Sequence, residues 1–315
     1  VKAATIVNGE IEIRQHPDPQ PGTGQILVRV RAAGLNSADL MQVAGYYPPP
    51  PGVPVDIPGM ELAGEVVAIG TDSTRFAVGD RVMAVVGGGA QAELAVLHQR
   101  EAMPVPTTLD WPQAGGAPEV FTTAHDALFT QVGLGLSERI CVHGAAGGVG
   151  TAAVQLAAAT GARVTATVRN PSLRGAVREL AEGVRVIAPE DTANNGPYDV
   201  ILELVGAPNM PANLKSLAIG GRISVIGVGA GAEAAVDLRV LMMLRARIYG
   251  STLRARPLES KAIAARAVET QVLPLFEARR ITVPVAETFP LDQAAAAYKR
   301  FADGGKFGKI VLTIP

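Results

Sequence analysis

The sequence predicts an α/β protein of two domains, a β-barrel or sandwich and a doubly wound parallel sheet. Three observations carry that expectation. The chain has 315 residues, more than most single cores hold, and its 48% hydrophobic content can fill two. Its first part is a series of short β-rich runs divided by Pro and Gly. From about residue 117 strand-like and helical runs alternate. The expected boundaries are 1–116 and 256–315 for the first domain and 117–255 for the second.

In the first domain the strand-like runs are "AATIV", "EIEIR", "QILVRVRAAG", "ELAGEVVAIG" and "DRVMAVV", with "YYPPPPGVP" as a long stiff loop. In the second they are "RICVHGA", "RVTATVR", "VRVIA", "YDVILELV", "RISVIGV" and "ARIYGST". Helices are expected at "GVGTAAVQLAAAT" and "PNMPANLKSLAI", with Gly161 and the Gly220-Gly221 pair as C-terminal caps. Six strands joined by helical crossovers predict the doubly wound sheet. After about residue 256 come a helix at "SKAIAARAVETQVLPLFEARR", another at "LDQAAAAYKRFADG" and a last strand, "GKIVLTI", expected to complete the first domain.

The 28 Lys and Arg balance 29 Asp and Glu, a net charge of -1, so no basic field draws the chain to nucleic acid or a membrane. Low aromatic content, 4%, leaves no stacking surface for RNA either. One cysteine, Cys141, excludes an internal disulfide framework and a multi-thiolate zinc site, and fits a reducing compartment. No apolar run is long enough to span a bilayer, and "VKAATIVNGEIEIRQ" lacks the apolar core of a signal peptide. The expected location is the cytoplasm.

The strongest local signal is "RICVHGAAGGVGTAAVQLAAATGARVTATVRN". A strand ends near His143, Gly144, Gly147 and Gly150 follow at spacings of three, and a helix leads to a second strand. That is the layout of a dinucleotide-binding unit: a tight turn, close approach of backbone to pyrophosphate, and close packing of helix on sheet. The helix N-terminus offers free N–H groups to the anion. Gly144, Ala146, Gly147, Gly148, Val149 and Gly150 are the expected cradle. Past the second strand there is no acid but Arg169, with Arg174 beyond. A guanidinium can pair with a 2′-phosphate that a carboxylate would repel, so NADPH is favoured over NADH.

On the runs "AAGLNSADLMQVAGYYPPPPG", "IPGMELAGEVVAIG", "FAVGDRVMAV", "HGAAGGVGTAAVQLA" and "GKFGKIVL", the chain resembles the medium-chain dehydrogenase/reductase superfamily. Within it, the likeness is to the zeta-crystallin-type NADPH:quinone oxidoreductases. It implies a GroES-like β-barrel catalytic domain and a Rossmann domain. In zinc-dependent relatives a cysteine stands at the place of Asn36, a histidine at that of Met60 and a cysteine near Glu119. None of these is a thiolate or imidazole here, so a zinc-independent enzyme is expected. Without that Lewis acid, unactivated alcohols give way to quinones or α,β-unsaturated carbonyls, which delocalise the incoming charge. The resemblance also implies a homodimer through the last Rossmann strand, and a substrate held in a cleft between the domains.

The resemblance nominates Tyr47 and Asn36 as catalytic. Tyr47 would lie over the nicotinamide and bond the carbonyl or steer a proton, or else pack on Pro48 to Pro51. Asn36 would bond cofactor or substrate, and it or Ser37 would cap a helix that Asp39 favours. Thr123 is the expected contact of the carboxamide, a buried helix threonine being the alternative, and Val205, Gly206, Gly227 and Val228 lie at strand ends where parallel sheets place ligands. Leu253 and Lys309 are further carry-overs, a packed leucine and a surface lysine being the alternatives. His143 is read as a support of the glycine loop, His125 as part of a helix face, and the arginines 239, 245, 247, 254 and 256 as solvated. No "GxSxG" elbow exists, and Cys141 lies in an expected buried strand, so a hydrolase has no nucleophile. The first expectation is an NADPH-dependent quinone reductase. The alternatives are an alkenal or enoyl reductase on the same scaffold, and a non-catalytic NADPH-binding protein of crystallin type.

Overall fold

The structure is a computed structural model that describes residues 1–315. The chain divides into two compact units, Val1–Thr122 with Leu253–Pro315, and Thr123–Thr252. The first division falls at Thr122 rather than residue 116, inside a helix that runs through it.

The first unit starts with strands β1 (Lys2–Val7), β2 (Glu10–Gln15) and β3 (Gln25–Gly34), helix α1 (Ser37–Val43), and strands β4 (Glu61–Ile69), β5 (Arg81–Val85), β6 (Leu94–His98) and β7 (Ala102–Pro104). Helices α2 (Trp111–Gly115) and α3 (Pro118–His125) follow. The second unit contains β8 (Arg139–Val142), α4 (Gly148–Ala159), β9 (Arg163–Thr167), α5 (Arg174–Arg178), β10 (Arg185–Ile187) and α6 (Thr192–Asn195). It closes with β11 (Tyr198–Glu203), α7 (Met210–Lys215), β12 (Leu217–Val225), α8 (Leu238–Leu244) and β13 (Arg247–Gly250). The chain returns to the first unit through α9 (Leu258–Gln271), α10 (Leu273–Glu277), β14 (Val285–Pro290), α11 (Ala294–Ala302) and β15 (Lys309–Thr313).

In the first unit a seven-stranded sheet runs β14-β15-β3-β4-β5-β7, with β6 also paired to β3. Its centre is β3, whose Ile26, Val28 and Val30 are fully buried with Leu62, Val82, Ile310 and Leu312 from the neighbouring strands. Burying each such aliphatic side chain contributes roughly 1.5–3 kcal/mol. The last strand packs back against the first third because β15 pairs with β3 from Val311 to Thr313.

In the second unit six parallel strands run β10-β9-β8-β11-β12-β13. The order reverses beside β8, so the loop after β8 opens where such sheets bind ligands. All six strands were legible in the sequence. One helix was not bounded correctly: the expected run through Ile219 stops at Lys215, and β12 starts at Leu217. Gly220 and Gly221 are therefore not helix caps. Gly220, with φ +78°, sits where the β11–β12 register jumps from Tyr198–Leu217 to Val200–Arg222, so it serves an irregularity in a strand. Gly161, with φ +78°, does follow the C-terminus of α4.

Candidate functional site

In the first unit a charged cluster is buried between α1, β4 and β15. Glu61 begins β4 and is 0% exposed, Lys309 begins β15 and is 3% exposed, and Asn36 precedes α1 at 8%. The Lys309 ammonium donates to Glu61 Oε1 at 2.6 Å, Asn36 Oδ1 at 2.7 Å and the Leu35 carbonyl at 2.8 Å, which uses all three of its protons. Asn36 Nδ2 donates to Glu61 Oε1 at 2.9 Å, and Glu61 Oε2 accepts the Glu119 backbone N–H at 2.9 Å. Gly34 makes room for this arrangement. A Cβ there would fall 2.3 Å from Glu61 Oε1 and 2.9 Å from the Gly115 carbonyl.

Lys309 is thus an interior residue rather than a surface lysine. Asn36, expected to offer its amide to cofactor or substrate, commits that amide to Glu61 and Lys309. It does precede α1, but its side chain does not cap it; instead its backbone N–H donates to Asp39 Oδ2 at 2.8 Å. Asp39 also accepts the Gly59 N–H at 3.2 Å.

Burial, opposed by the Asn36 N–H and the Lys309 charge, raises the Asp39 pKa from 3.8 to about 6. The folded value lies above the unfolded one, so the associated stability is complete below the unfolded value and is lost as pH rises through 6. The amount is about 3 kcal/mol. Carbon-13 NMR of the Asp39 carboxyl is expected to give a midpoint near 6; a midpoint at the ordinary aspartate value would contradict this burial.

These residues do not fit a zinc ion. The groups on hand are an amide (Asn36) whose oxygen already accepts from Lys309, a buried thioether (Met60, 4% exposed) and a carboxylate (Glu61) already held by the Lys309 ammonium, a set without the thiolates and imidazoles that zinc prefers. No group of three or more His, Cys, Asp or Glu converges to hold a metal.

Arg254, read from the sequence as solvated, is 1% exposed. It donates to the Gly87 carbonyl at 2.7 Å, the Tyr47 carbonyl at 2.9 Å and Gln42 Oε1. Its guanidinium lies 5.1 Å from the centroid of the Tyr47 ring. Its setting among Arg245, Arg247 and Arg256 gave no sign of this. Arg254 pins the proline-rich loop that carries Tyr47, which is itself partly buried. Burial raises the Tyr47 pKa, with Arg254 opposing it, so its phenol stays protonated at neutral pH. Leu253 is a packed residue, 8% exposed.

In the second unit the glycine loop joins β8 to α4. Gly144 has φ +61° and makes the turn. A Cβ on Gly147 would meet only the Gly144 carbonyl at 3.4 Å, which leaves its outer side open. On Gly150 it would lie 2.4 Å from the Gly144 carbonyl and 2.6 Å from Ala145 Cα. The first turn of α4 closes on the loop after β8 by virtue of that missing atom. Ala146, Gly147, Gly148 and Val149 are partly exposed at the helix start, suited to cradling a pyrophosphate.

The other strand-end residues gather beside this loop. A Gly144 Cβ would lie 3.5 Å from Val205, and a Gly206 Cβ 3.0 Å from Val228 Cα. A Gly227 Cβ would meet the Leu204 carbonyl at 2.4 Å. Gly144, Val205, Gly206, Gly227 and Val228 therefore form one rim, with Val228 exposed. After β9, Arg169 is exposed, whereas Arg174 is half-buried and its Nε donates to the Val168 carbonyl at 3.1 Å. Thr123 is buried in α3. Lys309 and Leu253 belong to the first unit. Cys141 is fully buried, and burial raises its thiol pKa, which suits an inert residue.

The alcohol dehydrogenase GroES-like domain family matches residues 22–107, and the zinc-binding dehydrogenase family matches 148–269. The quinone oxidoreductase of Rattus norvegicus is 30% identical over 94% of this chain and 91% of its own length. The acryloyl-coenzyme A reductase of Metallosphaera sedula is 29% identical over 98% and 99%. The spectinabilin polyketide synthase system protein NorB of Streptomyces orinoci is 35% identical over 93% of this chain, which spans only 13% of that protein. The crystal structure of an alcohol dehydrogenase superfamily protein from Novosphingobium aromaticivorans superposes with a TM-score of 0.87 at 29% identity, over 100% and 99% of the two chains. The chain belongs to the medium-chain dehydrogenase/reductase family, with a GroES-like and a Rossmann-like nicotinamide-dinucleotide-binding domain.

Proposed function

We propose that this protein is an NADPH-dependent quinone reductase that works without a metal ion. The buried Lys309–Glu61–Asn36 cluster supports the reading, because its carboxylate is already paired with the protein's own cation and its remaining groups are poor zinc ligands, which would leave an alcohol without a Lewis acid. Bound NADPH would supply a hydride. The acceptor must delocalise the charge that arrives with it, which a quinone does. Tyr47, protonated at neutral pH, is the donor proposed for the acceptor oxygen, and Arg254 fixes its loop. The amide of Asn36 is a support of this cluster rather than a donor to substrate. The cradle of Gly144 and Ala146 to Gly150 would hold the pyrophosphate. Thr123, Val205, Gly206, Gly227, Val228 and Leu253 are proposed for the nicotinamide side, and Lys309 acts by holding Asn36 and Glu61.

For the 2′-phosphate we propose Arg169 together with Arg174, whose guanidinium is already anchored by Val168. Arg174→Ala and Arg169→Ala should each weaken NADPH about tenfold while changing NADH affinity little, read by calorimetry. An unchanged NADPH preference in both variants would remove the assignment.

One finding favours a second reading, an enoyl reductase: the acryloyl-coenzyme A reductase is similar over nearly the whole of both chains. Steady-state rates with quinones, enones and enoyl thioesters separate the two. Turnover of quinones supports the first, and NADPH oxidation with enones or enoyl thioesters alone replaces it. A protein that binds NADPH and oxidises it with none of these would be the non-catalytic alternative.

The dimer proposal rests on β13, which pairs only with β12 and leaves the sheet edge beside exposed Ile248, Met242 and Met243. Sedimentation should show two copies. The compartment proposed is the cytoplasm, on the single reduced cysteine.

A further inference from the structure

Beneath the rim of the second unit lies a chain of buried polar side chains that the proposed reaction does not use. Glu203 ends β11 and is 0% exposed, yet four donors converge on it. Its Oε1 accepts the backbone N–H of Val205 at 2.7 Å, that of Gly206 at 2.8 Å and Asn209 Nδ2 at 3.2 Å; its Oε2 accepts Asn213 Nδ2 at 2.7 Å. Two further backbone bonds pass this order on, since Val205 O accepts the Ala230 N–H and the Ala207 N–H donates to Gly231 O, both at 2.9 Å. The loops after β11 and β12 are thus tied to one carboxylate.

The same carboxylate sets the direction of every bond behind it. A carboxylate has no proton to give, so Asn213 must turn its amide nitrogen to Glu203 and its oxygen to His143. His143 Nε2, 2.7 Å from that oxygen, must then carry a proton. His143 is 1% exposed, and burial lowers its pKa against the opposing Glu203 charge, so the neutral ring leaves Nδ1 to accept from Thr167 Oγ1 at 3.0 Å. Thr167 ends β9, and its carbonyl accepts the Ala145 N–H of the glycine loop at 3.2 Å.

We propose that Glu203 is the positioning residue of the nicotinamide side of the dinucleotide site: it preforms the Val205–Gly206 loop before the cofactor arrives and fixes His143 as the Nε2–H tautomer. This rests on the reading of the second unit as the cofactor-binding unit. In such a sheet the adenosine half lies over β8 to β10 and the other half over β11 to β13, so the effect of Glu203 should be confined to one half.

The test uses the full chain without ligand and then with ligand. Nitrogen-15 NMR of the wild-type protein between pH 6 and 8 should find His143 protonated on Nε2 and bare on Nδ1; the opposite tautomer overturns the proposal without any variant. In Glu203→Gln, the amides of Val205 and Gly206 should exchange about tenfold faster, a carboxylate bond being replaced by a weaker amide one. Calorimetry should show whichever of NADPH and NADH binds tighter weakened about tenfold, with the matching adenosine fragment, 2′,5′-ADP or AMP, unchanged. Glu203→Asp should recover part of the loss. Equal weakening of dinucleotide and fragment, or unaltered amide exchange, overturns the proposal. A wild-type chain that binds neither dinucleotide would instead remove the cofactor reading, while the tautomer and exchange results would still decide the role of Glu203.

Discussion

Lys309→Met is expected to destabilise the protein by about 3–5 kcal/mol, the cost of leaving one member of a buried ion pair without its partner. The lysine is 3% and its partner Glu61 0% exposed, so water cannot replace the lost ammonium. Three acceptors lose a donor at once, the Glu61 carboxylate, the Asn36 amide oxygen and the Leu35 carbonyl, and Glu61 keeps only the neutral donors Asn36 and Glu119 N–H. Glu61→Gln added to Lys309→Met removes the stranded charge while keeping an acceptor for the Glu119 N–H, so the double variant should regain a large part of the loss. Urea unfolding of the wild type, Lys309→Met, Glu61→Gln and the double variant measures both effects. Two changes that simply add would mean that the cluster is not a coupled unit.

Gly150→Ala should have the second large effect, because the new methyl group meets backbone rather than a movable side chain. The contacts would be 2.4 Å to the Gly144 carbonyl and 2.6 Å to Ala145 Cα, so the start of α4 must move away from the loop after β8. A loss of about 2 kcal/mol or more is expected, together with loss of dinucleotide binding. Gly147→Ala is the control. Its methyl group points into open space, so melting should be nearly unchanged while dinucleotide affinity falls. Equal thermal losses in the two variants would show that the glycines do not have separate jobs.

The parallel sheet could be read from the sequence because its strands are continuous apolar runs and its crossovers are marked by glycine. Short strands were harder. β7 has three residues, and β14, "VAETFP", is half exposed at the end of the sheet, so neither carries much pattern. Within the site, the glycine loop was legible because each glycine answers a local backbone demand. The charged cluster was not, since Asn36, Glu61 and Lys309 are distant in sequence and meet only when β15 pairs with β3. Arg254 was hidden among four other arginines of its segment, and Glu203 and Asn213 carry no motif. A charged residue inside an otherwise apolar strand, such as Glu203 in "YDVILELV", was the one available signal.

Hydride transfer without a metal is the central proposal. The measurement is NADPH oxidation by a quinone in chelator-treated protein, with metal content checked by mass spectrometry, before and after zinc is added. Rates that agree within about twofold are expected in all three states, since the Lys309 ammonium already holds the Glu61 carboxylate. A rate that collapses on metal removal and returns with zinc would contradict it.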